Sequence, residues 1–415
     1  MAAEILVVGG GAAGMFAALT AAECGCRVRL LEKNDRLGKK LNITGKGRCN
    51  VTNNCTAEEV LQQISRNPKF LYSSMRAFPP EKVMEFFESH DCPLKTERGQ
   101  RVFPQSDQAS SIVQTLKHAL RRSGVRVEQA EVTDLLMNDG RCCGVMTGSR
   151  ERKADAVILA TGGCSYPLTG STGDGYRLAE KVGHTIIAPR GSLVPLEEEG
   201  RWCAMAQGLS LRNVQLRVLG PKSRQIYSEF GELLFTHFGL SGPIVLSASA
   251  HMKPNEKYRI FLDLKPALDE AALDQRILRD FEKYKNRNFE NALCDLFPAK
   301  LIPVMIARSG IDPALKVNSI TKVQRKKLCE LTKAFEIHIK GMRPVEEAII
   351  TAGGVRTAEI DPATMESKCA PGLFFAGELI DCDAYTGGFN LQIAWATGRA
   401  AGFGAAKRLG KERKS

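Results

Sequence analysis

Long apolar runs are missing from this 415-residue sequence, and none approaches the ~20 consecutive apolar residues of a membrane-spanning helix. The basic-then-apolar layout of a secretory signal peptide is missing as well, because Met1 leads almost directly into a strand-like segment at Ile5. Together these absences predict a soluble, cytoplasmic protein without a membrane partner.

Metal-binding patterns are also missing. The thirteen cysteines form no C-x-x-C pair, and the six histidines are dispersed without the spacing of metal ligands. We therefore expect no metal site, and we expect most cysteines to be small buried residues in a reducing compartment.

Acidic residues are too few to balance the basic ones. The sequence contains 58 Lys and Arg residues against 46 Asp and Glu residues, a net charge of +12. Such an excess favours a polyanionic partner, because phosphate contacts provide most of the non-specific affinity for nucleic acid. A basic enzyme without any such partner fits the composition equally well. The length favours two or three domains.

A dinucleotide-binding motif occupies the first thirty or so residues. The apolar run Ile5 to Val8 is typical of a buried parallel strand, and the glycines that follow fit G-x-G-x-x-G. The first glycine permits a tight turn, the second lets the backbone approach a pyrophosphate, and the third lets the helix from Met15 to Glu23 pack closely. A second apolar run ends at Glu32, which can accept both hydroxyls of an adenosine ribose. The alternative is a glycine-rich turn that binds nothing.

Three later stretches are typical of the same kind of fold. The loop from Asn42 to Asn53 is too rich in polar residues and glycine for a plain linker, although a solvated turn is the alternative. The apolar segments 154–160 and 372–376 each end in a glycine-containing turn, as strands that contact a dinucleotide do. The segment Thr386 to Gln392 then opens a helix whose N-terminal N–H groups can stabilise negative charge.

The rest of the chain divides into helical and strand-rich stretches. We predict helices within 57–91 and over 110–123, a small β-meander from Val125 to Thr147, a strand-rich stretch over 191–264 and a mainly helical stretch over 269–340. Residues 270–345 contain 15 Lys and Arg residues against 9 Asp and Glu residues, a net charge of +6. A solvated helix face is the alternative to a binding surface there. Five further basic residues form a tail: Lys407, Arg408, Lys411, Arg413 and Lys414.

Four stretches together resemble one family of flavoproteins. They begin at Gly45 (Gly-Lys-Gly-Arg-Cys-Asn-Val-Thr-Asn), at Arg101 (Arg-Val-Phe-Pro), at Phe235 (Phe-Thr-His-Phe-Gly-Leu-Ser-Gly-Pro), and at Phe375 (Phe-Ala-Gly-Glu), the last continuing at Gly387 (Gly-Gly-Phe-Asn-Leu-Gln). The chain is similar over nearly its whole length to the cytoplasmic FAD-dependent proteins that include bile-acid dehydro-reductases and bacterial ribosomal RNA dihydrouridine synthases. Lys46 departs from the family pattern, in which glycine is expected there in many members.

The resemblance implies an α/β fold: a two-dinucleotide-binding, Rossmann-like FAD domain with an inserted β-barrel-like domain and a helical domain. We place the FAD domain at 1–190 and 343–415, the β-rich insertion at 191–265 and the basic helical insertion at 266–342. It also implies reduction of a carbon–carbon double bond conjugated to a carbonyl group.

Among the substrates that the resemblance implies, the charge favours RNA over a small molecule. We therefore expect uridine in bacterial 23S ribosomal RNA, before the ribosome is complete, with NADH or NADPH as a transient electron donor. A small enone resembling a bile acid is the alternative substrate, and a flavin electron-transfer protein is the third reading.

The motifs and the resemblance together assign a set of cofactor-binding residues, with FAD held non-covalently because no attachment signal is visible. They are Gly9, Gly11, Ala12, Ala13, Gly14, Glu32, Lys33, Lys40, Thr44, Gly45, Lys46, Gly47, Arg48, Cys49, Asn50, Val132, Thr161, Gly162, Gly163, Gly377, Glu378, Gly387, Gly388, Phe389, Asn390 and Leu391. For the catalytic proton donor, Cys49 is the first candidate and His237 the second. The alternatives are a buried structural cysteine and a hydrogen-bonded core or loop histidine.

Overall fold

Strands and helices alternate along the chain in a computed structural model that describes residues 3–411. The strands are β1 (Glu4–Val8), β2 (Arg27–Glu32), β3 (Thr52–Asn53), β4 (Leu94–Glu97), β5 (Arg101–Pro104), β6 (Arg126–Gln129), β7 (Asp134–Asn138), β8 (Arg141–Thr147), β9 (Arg150–Lys153), β10 (Ala156–Leu159), β11 (Ile186–Ser192), β12 (Leu196–Glu198), β13 (Ser210–Leu219), β14 (Gln225–Phe235), β15 (Gly239–Ser241), β16 (Tyr258–Asp263), β17 (Phe335–Met342), β18 (Ile350–Val355) and β19 (Leu373–Phe375). The α-helices are α1 (Ala12–Glu23), α2 (Lys39–Ile43), α3 (Ala57–Gln62), α4 (Tyr72–Ala77), α5 (Pro80–Glu88), α6 (Ala109–Arg122), α7 (Asp174–Lys181), α8 (Trp202–Met205), α9 (Pro243–Ser249), α10 (Glu270–Lys283), α11 (Ile302–Ser309), α12 (Lys322–Lys333) and α13 (Phe389–Arg408). Of the basic tail, Arg413 and Lys414 lie outside the described residues.

The chain forms two compact units. The first unit combines the residues up to Ser192 with those from Ala348 onward, and the second unit is the insertion Leu193–Glu347. Each unit has its own apolar core.

A five-stranded parallel sheet forms the centre of the first unit, with the strand order β19-β10-β1-β2-β6. The run Ile5 to Val8 in β1 and all of β10 are buried, as expected for strands that are covered on both faces. The carboxyl ends of parallel strands lie at one edge of a sheet, so the turns that follow β1, β10 and β19 are neighbours.

The short strand β6 differs from the prediction. The sequence pattern places Val125 to Val127 in a β-meander with the strands that follow, but the structure pairs β6 in parallel with β2 at the edge of the central sheet. The meander itself consists of β7, β8 and β9. Two other small antiparallel sheets, β3-β5-β4 and β11-β18, complete the first unit.

The insertion is built on a closed six-stranded antiparallel barrel with the order β12-β15-β14-β13-β16-β17. Alternate residues of β16 and β17 are buried, which is the pattern of a strand with one face toward a core. The last barrel strand, β17, lies largely within the stretch for which we predict helices. Helices α10, α11 and α12 belong to the same apolar core as the barrel.

Two helices of the first unit cross at very short range. A Cβ atom on Gly398 of α13 would lie 2.3 Å from the carbonyl oxygen of Ala13 in α1, and a Cβ atom on Gly402 would lie 2.5 Å from that of Ala17. Only glycine permits this approach without a shift of the backbone. The crossing fixes the start of α1 beneath the turn that follows β1.

Candidate dinucleotide site

The turn between β1 and α1 is shaped by its glycines. Gly9 has a φ of +103°, and a Cβ atom there would lie 2.5 Å from the carbonyl oxygen of Ala160. A Cβ atom on Gly14 would overlap with the carbonyl oxygen of Gly9. By contrast, a Cβ atom on Gly11 would meet no described atom within 4 Å. The turn is therefore closed on the protein side and open above Gly11.

The N-terminus of α1 faces this open space. Ala12 and Ala13 begin the helix, Gly11 is the residue that precedes it, and within the described residues no side chain caps it and no acid occurs in its first turn. Its free N–H groups and the positive end of its dipole are suited to an anion such as a pyrophosphate.

Glu32 lies at the end of β2 with only 9% of its surface exposed. Its Oε2 accepts a hydrogen bond from the Gly10 N–H at 2.6 Å, and its Oε1 accepts one from the Asn34 N–H at 2.8 Å. A carboxylate oxygen has two acceptor positions, so Oε2 keeps one for a further donor. These bonds hold the carboxylate beside the glycine turn, where the sequence motif requires it.

Two of the three predicted lysines, Lys33 and Lys40, are paired with acids. Lys33 Nζ lies 2.6 Å from Asp174 Oδ2, and Lys40 Nζ lies 2.6 Å from Glu378 Oε2. The other oxygen of Glu378 accepts a hydrogen bond from the Thr351 N–H at 2.8 Å. The fold thus brings together Lys40 and Glu378, two predicted site residues from opposite ends of the sequence.

Residues after the neighbouring strands meet at the same edge of the central sheet. Thr161, Gly162 and Gly163 follow β10, whereas Gly377 and Glu378 follow β19. The hydroxyl oxygen of Thr161 is buried and has no hydrogen-bond partner among the described residues. An orphaned polar atom at this position is available to a bound molecule.

The start of α13 supplies a second helix N-terminus. Gly388 precedes the helix with a φ of +98°, and within the described structure no side chain caps it. Asn390 fixes the preceding loop, because its Oδ1 accepts the Ala384 N–H at 2.9 Å and its Nδ2 donates to the Ala384 carbonyl oxygen at 2.7 Å.

Four further predicted residues remain, three of them at the start of α13. Gly387 directly precedes Gly388, and Phe389 and Leu391 lie in the first turn of α13. Val132 is buried in the segment between β6 and β7.

The loop from Thr44 to Asn50 has an unusual backbone. Gly45 and Lys46 both adopt the left-handed conformation inside a short 3-10 turn that ends at Gly47. Arg48 turns its guanidinium to Glu97 and Asp107, with Nε 2.8 Å from Asp107 Oδ1, so its side chain is committed to an ion-pair network. Asn50 Oδ1 is buried without a partner among the described residues.

The side chain of Cys49 does not have the access that a proton donor needs. Its surface is 0% exposed, and it belongs to the apolar core of the first unit. Burial raises the pKa of the thiol to about 12. These observations favour the structural alternative and argue against the catalytic assignment of Cys49.

His237 belongs to the insertion, whereas the other predicted site residues belong to the first unit. It is an exposed residue between β14 and β15 of the insertion, and its ring meets that of Phe238 edge to face with centroids 5.0 Å apart. Its catalytic role stays a prediction.

A buried acidic cluster near α13 was not predicted. Arg66 forms two hydrogen bonds of 2.9 Å with Asp381, while Asp383 Oδ2 accepts hydrogen bonds from Ser192 Oγ at 2.8 Å and Ser65 Oγ at 3.0 Å. Burial raises the pKa of Asp383, and its Oδ1 has no hydrogen-bond partner among the described residues. The signal in the sequence is the pair of acids two residues apart, between the turn at Glu378 and the glycines before α13.

Residues 3–404 match the family described as HI0933-like protein Rossmann domain. The chain belongs to this family. The family is one of FAD-dependent oxidoreductases, so the resemblance found in the sequence is confirmed. The mixed α/β fold with a six-stranded barrel and helical parts confirms the predicted fold class.

Two relatives align with this HI0933-like chain over almost its full length. It is 33% identical over 412 residues to the 3-dehydro-bile acid delta(4,6)-reductase of Clostridium scindens, which covers 98% of this chain and 99% of the relative. It is 30% identical over 403 residues to the ribosomal RNA dihydrouridine synthase of Haemophilus influenzae, which covers 96% of this chain and 97% of the relative.

The fold also has a counterpart among solved structures. Mycobacterium smegmatis Sdh1 in complex with UQ1 matches with a TM-score of 0.51 and 18% identity, over 100% of this chain and 70% of that chain. At this identity the likeness concerns the fold alone. Within residues 3–411 of the HI0933-like chain, no helix combines the length and the apolar character needed to cross a membrane.

Proposed function

We propose that this protein binds FAD non-covalently and reduces a carbon–carbon double bond conjugated to a carbonyl group. The observation that carries the proposal is the open space above Gly11, at the N-terminus of α1 and beside the Glu32 carboxylate. The orphaned oxygens of Asn50 and Thr161 provide further polar groups for a ligand. When bound and reduced, FAD supplies the hydride for such a reduction.

The chain's own residues would bind and orient the cofactor. The N–H groups of Ala12 and Ala13 lie in the first turn of α1, where a pyrophosphate is stabilised by the helix dipole. Glu32 is positioned to receive ribose hydroxyls, and the uncapped start of α13 offers N–H groups to a second region of negative charge.

Gly11→Leu tests the cofactor site without disturbing the fold. Gly11 has a φ of −82°, which every residue can adopt, and open space lies at its Cβ position. The variant should therefore fold normally and lose FAD because the side chain fills the pyrophosphate space. Gly341→Leu is the matched control, since Gly341 also has open space at Cβ but lies in β17. The absorbance of released FAD measures the occupancy. A wild-type protein that is colourless and cannot be reconstituted with FAD would refute the proposed FAD site, and so would a yellow Gly11→Leu variant.

For the substrate, we propose uridine in ribosomal RNA. The support is the net charge of +12 together with the exposed basic residues Lys322, Lys326 and Lys327 on α12. Arg325 is not part of this surface, because its guanidinium forms hydrogen bonds of 2.6 Å and 3.2 Å with Asp274. Dihydrouridine forms when the C5=C6 bond of uridine, which is conjugated to a carbonyl group, gains a hydride and a proton.

A small enone is the second candidate substrate. The observation that favours it is the 33% identity to a relative named as a bile-acid reductase. Both candidates require the same chemistry, and only the RNA substrate gives the basic α12 surface a purpose.

RNA binding can be tested by charge reversal. Replacing Lys322, Lys326 and Lys327 by Glu should weaken binding to ribosomal RNA and lower the salt dependence by roughly 0.7–0.9 per lost contact in the slope of log K against log salt. A control that reverses Lys69, Arg98 and Lys153, which are exposed in the first unit, should have a smaller effect. FAD content should be unchanged in both.

Activity separates the candidate functions. We expect the dihydrouridine content of ribosomal RNA, measured by mass spectrometry, to fall when the protein is deleted from its host. An unchanged content, together with salt-insensitive turnover of a small enone, would establish the second candidate instead. If neither substrate reoxidises the reduced flavin, the electron-transfer reading replaces both.

We further propose NADH or NADPH as an electron donor that binds transiently, because the sequence contains no second G-x-G-x-x-G. Anaerobic reduction of the bound flavin by each nucleotide in turn measures the preference. Reduction by neither would exclude this donor class.

A further inference from the structure

Three potential metal ligands converge in the first unit at a distance from the dinucleotide motif in sequence. His184 lies two residues before the start of β11. Glu359 ends the 3-10 turn Thr357–Glu359, and Cys369 lies in the turn before β19. One ligand atom from each lies within 4.8 Å of the other two.

His184 is the buried member of this group, with 3% of its surface exposed. Its Nδ1 has no hydrogen-bond partner among the described residues, although Glu359 Oε2 lies 3.3 Å away. A buried ring nitrogen without a well-formed hydrogen bond is destabilising, and here it faces a carboxylate oxygen. The position is therefore one that a ligand of His184 would stabilise.

The groups around these side chains hold them in place. His184 Nε2 lies 2.7 Å from Ser367 Oγ, and the ring packs edge to face on Phe375. Glu359 Oε2 accepts a hydrogen bond from the Thr185 N–H at 2.8 Å.

The distance between two of the three ligand atoms fits a tetrahedral ion. With metal–nitrogen and metal–oxygen bonds of about 2.0–2.1 Å, two ligand atoms of a tetrahedral site lie roughly 3.3 Å apart. That is the distance between His184 Nδ1 and Glu359 Oε2.

We propose that His184, Glu359 and Cys369 form a Zn²⁺ site. Imidazole, carboxylate and thiolate together are a zinc donor set, and water can take the fourth position because Cys369 is exposed. Binding replaces the S–H bond of Cys369 by an S–Zn bond and releases one proton to solvent. The ion would join the start of β11 to the two turns that hold Glu359 and Cys369.

The test is a calorimetric titration of Zn²⁺ into the full-length protein after treatment with a chelator. Wild type should bind one equivalent, and Co²⁺ used as an optical probe should give a thiolate charge-transfer band. Cys369→Ser and Glu359→Gln should each weaken binding by at least about tenfold. Cys294→Ser is the control, because Cys294 is an exposed cysteine of the insertion and should leave binding unchanged.

A second measurement guards against altered folding in the variants. Zn²⁺ should raise the melting temperature of wild type and of Cys294→Ser but not that of Cys369→Ser, while the metal-free melting temperatures stay alike. The proposal is overturned if wild type binds no Zn²⁺, or if either Cys369→Ser or Glu359→Gln binds as wild type does.

Discussion

Lys46 occupies a backbone conformation that suits glycine, with φ +58° and ψ +41°. For a residue with a Cβ atom this left-handed conformation costs about 1–2 kcal/mol. Replacing the lysine by glycine removes this cost, but part of the gain is lost because glycine has more conformational freedom in the unfolded state. We predict that Lys46→Gly raises the free energy of unfolding by about 0.5–1 kcal/mol.

Denaturant unfolding of the first unit measures the effect. Lys117→Gly, within the helix α6, is the control and should lower stability by about 1 kcal/mol. A loss of stability in Lys46→Gly would mean that the lysine side chain makes a contribution larger than the backbone strain.

Asp383 predicts a pH dependence of stability. Because burial raises its pKa in the folded state, the stabilisation from this group is complete below the unfolded-state pKa and is lost as the pH rises through the folded-state pKa. Asp383→Asn stays neutral, so its melting temperature relative to wild type should increase as the pH rises above the ordinary pKa of an aspartic acid.

Asp107 gives the opposite sign and serves as the control. Lys95 and Arg48 lower the pKa of Asp107, so Asp107→Asn should lose stability relative to wild type as the pH rises. A melting-temperature difference for Asp383→Asn that does not change with pH would show that the carboxyl group is not destabilised by burial.

The glycine turn could be predicted at the level of single residues because its geometry is local. Gly9, Gly11 and Gly14 lie within one strand, turn and helix, and the close contact of Gly14 with Gly9 arises inside that segment, although Gly9 also packs on the distant Ala160. The burial of Cys49 could not be predicted in this way. It depends on side chains from distant segments, such as Cys92, that surround the loop in three dimensions.

Among the structural elements, the crossing of α1 and α13 is the contact most sensitive to added volume. In Gly398→Ala the new methyl group would face the backbone of Ala13, which has no rotamer with which to yield. We predict a loss of about 1–3 kcal/mol in the free energy of unfolding. FAD occupancy should also fall, because the start of α1 would be displaced.

Thermal unfolding and released FAD measure these two effects. Lys407→Ala lies on the exposed side of the same helix and should change stability by no more than about 0.5 kcal/mol. Equal behaviour of the two variants would contradict the close crossing.

Helices and strands could be predicted where the hydrophobic periodicity was clear, but the pairing partners of the strands could not. The helix α6 follows from its amphipathic pattern almost to the residue. The parallel partner of β6 is about a hundred residues away, and an alternating pattern does not identify a partner. For β17 a signal was present, since Phe335, Ile337 and Ile339 alternate with polar residues.

At the scale of the whole molecule, the insertion should fold without the rest of the chain. Leu193–Glu347 has its own apolar core and a closed barrel, which leaves no unpaired edge strand in that sheet. We predict that this fragment unfolds cooperatively on heating, with a midpoint of about 45–65 °C. Circular dichroism and dye binding measure this; a non-cooperative transition with strong dye binding would show that the core is incomplete alone.

Groups of side chains that are distant in the sequence but adjacent in the fold could not be predicted from the sequence. His184, Glu359 and Cys369 have no metal-ligand spacing, and only the fold places their ligand atoms within 4.8 Å. Likewise, only the fold brings Lys40 and Glu378 together as an ion pair.

The strand order of the central sheet has a consequence for synthesis on the ribosome. Strand β19 and helix α13 are translated after the whole insertion, yet they cover the edge of β10 and the packing face of α1. At about 5–20 residues per second, translation of Leu193–Glu347 takes on the order of 8–30 seconds. During that interval the nascent first half presents an open sheet edge and an uncovered helix face, which is when chaperones at the exit tunnel have access to it.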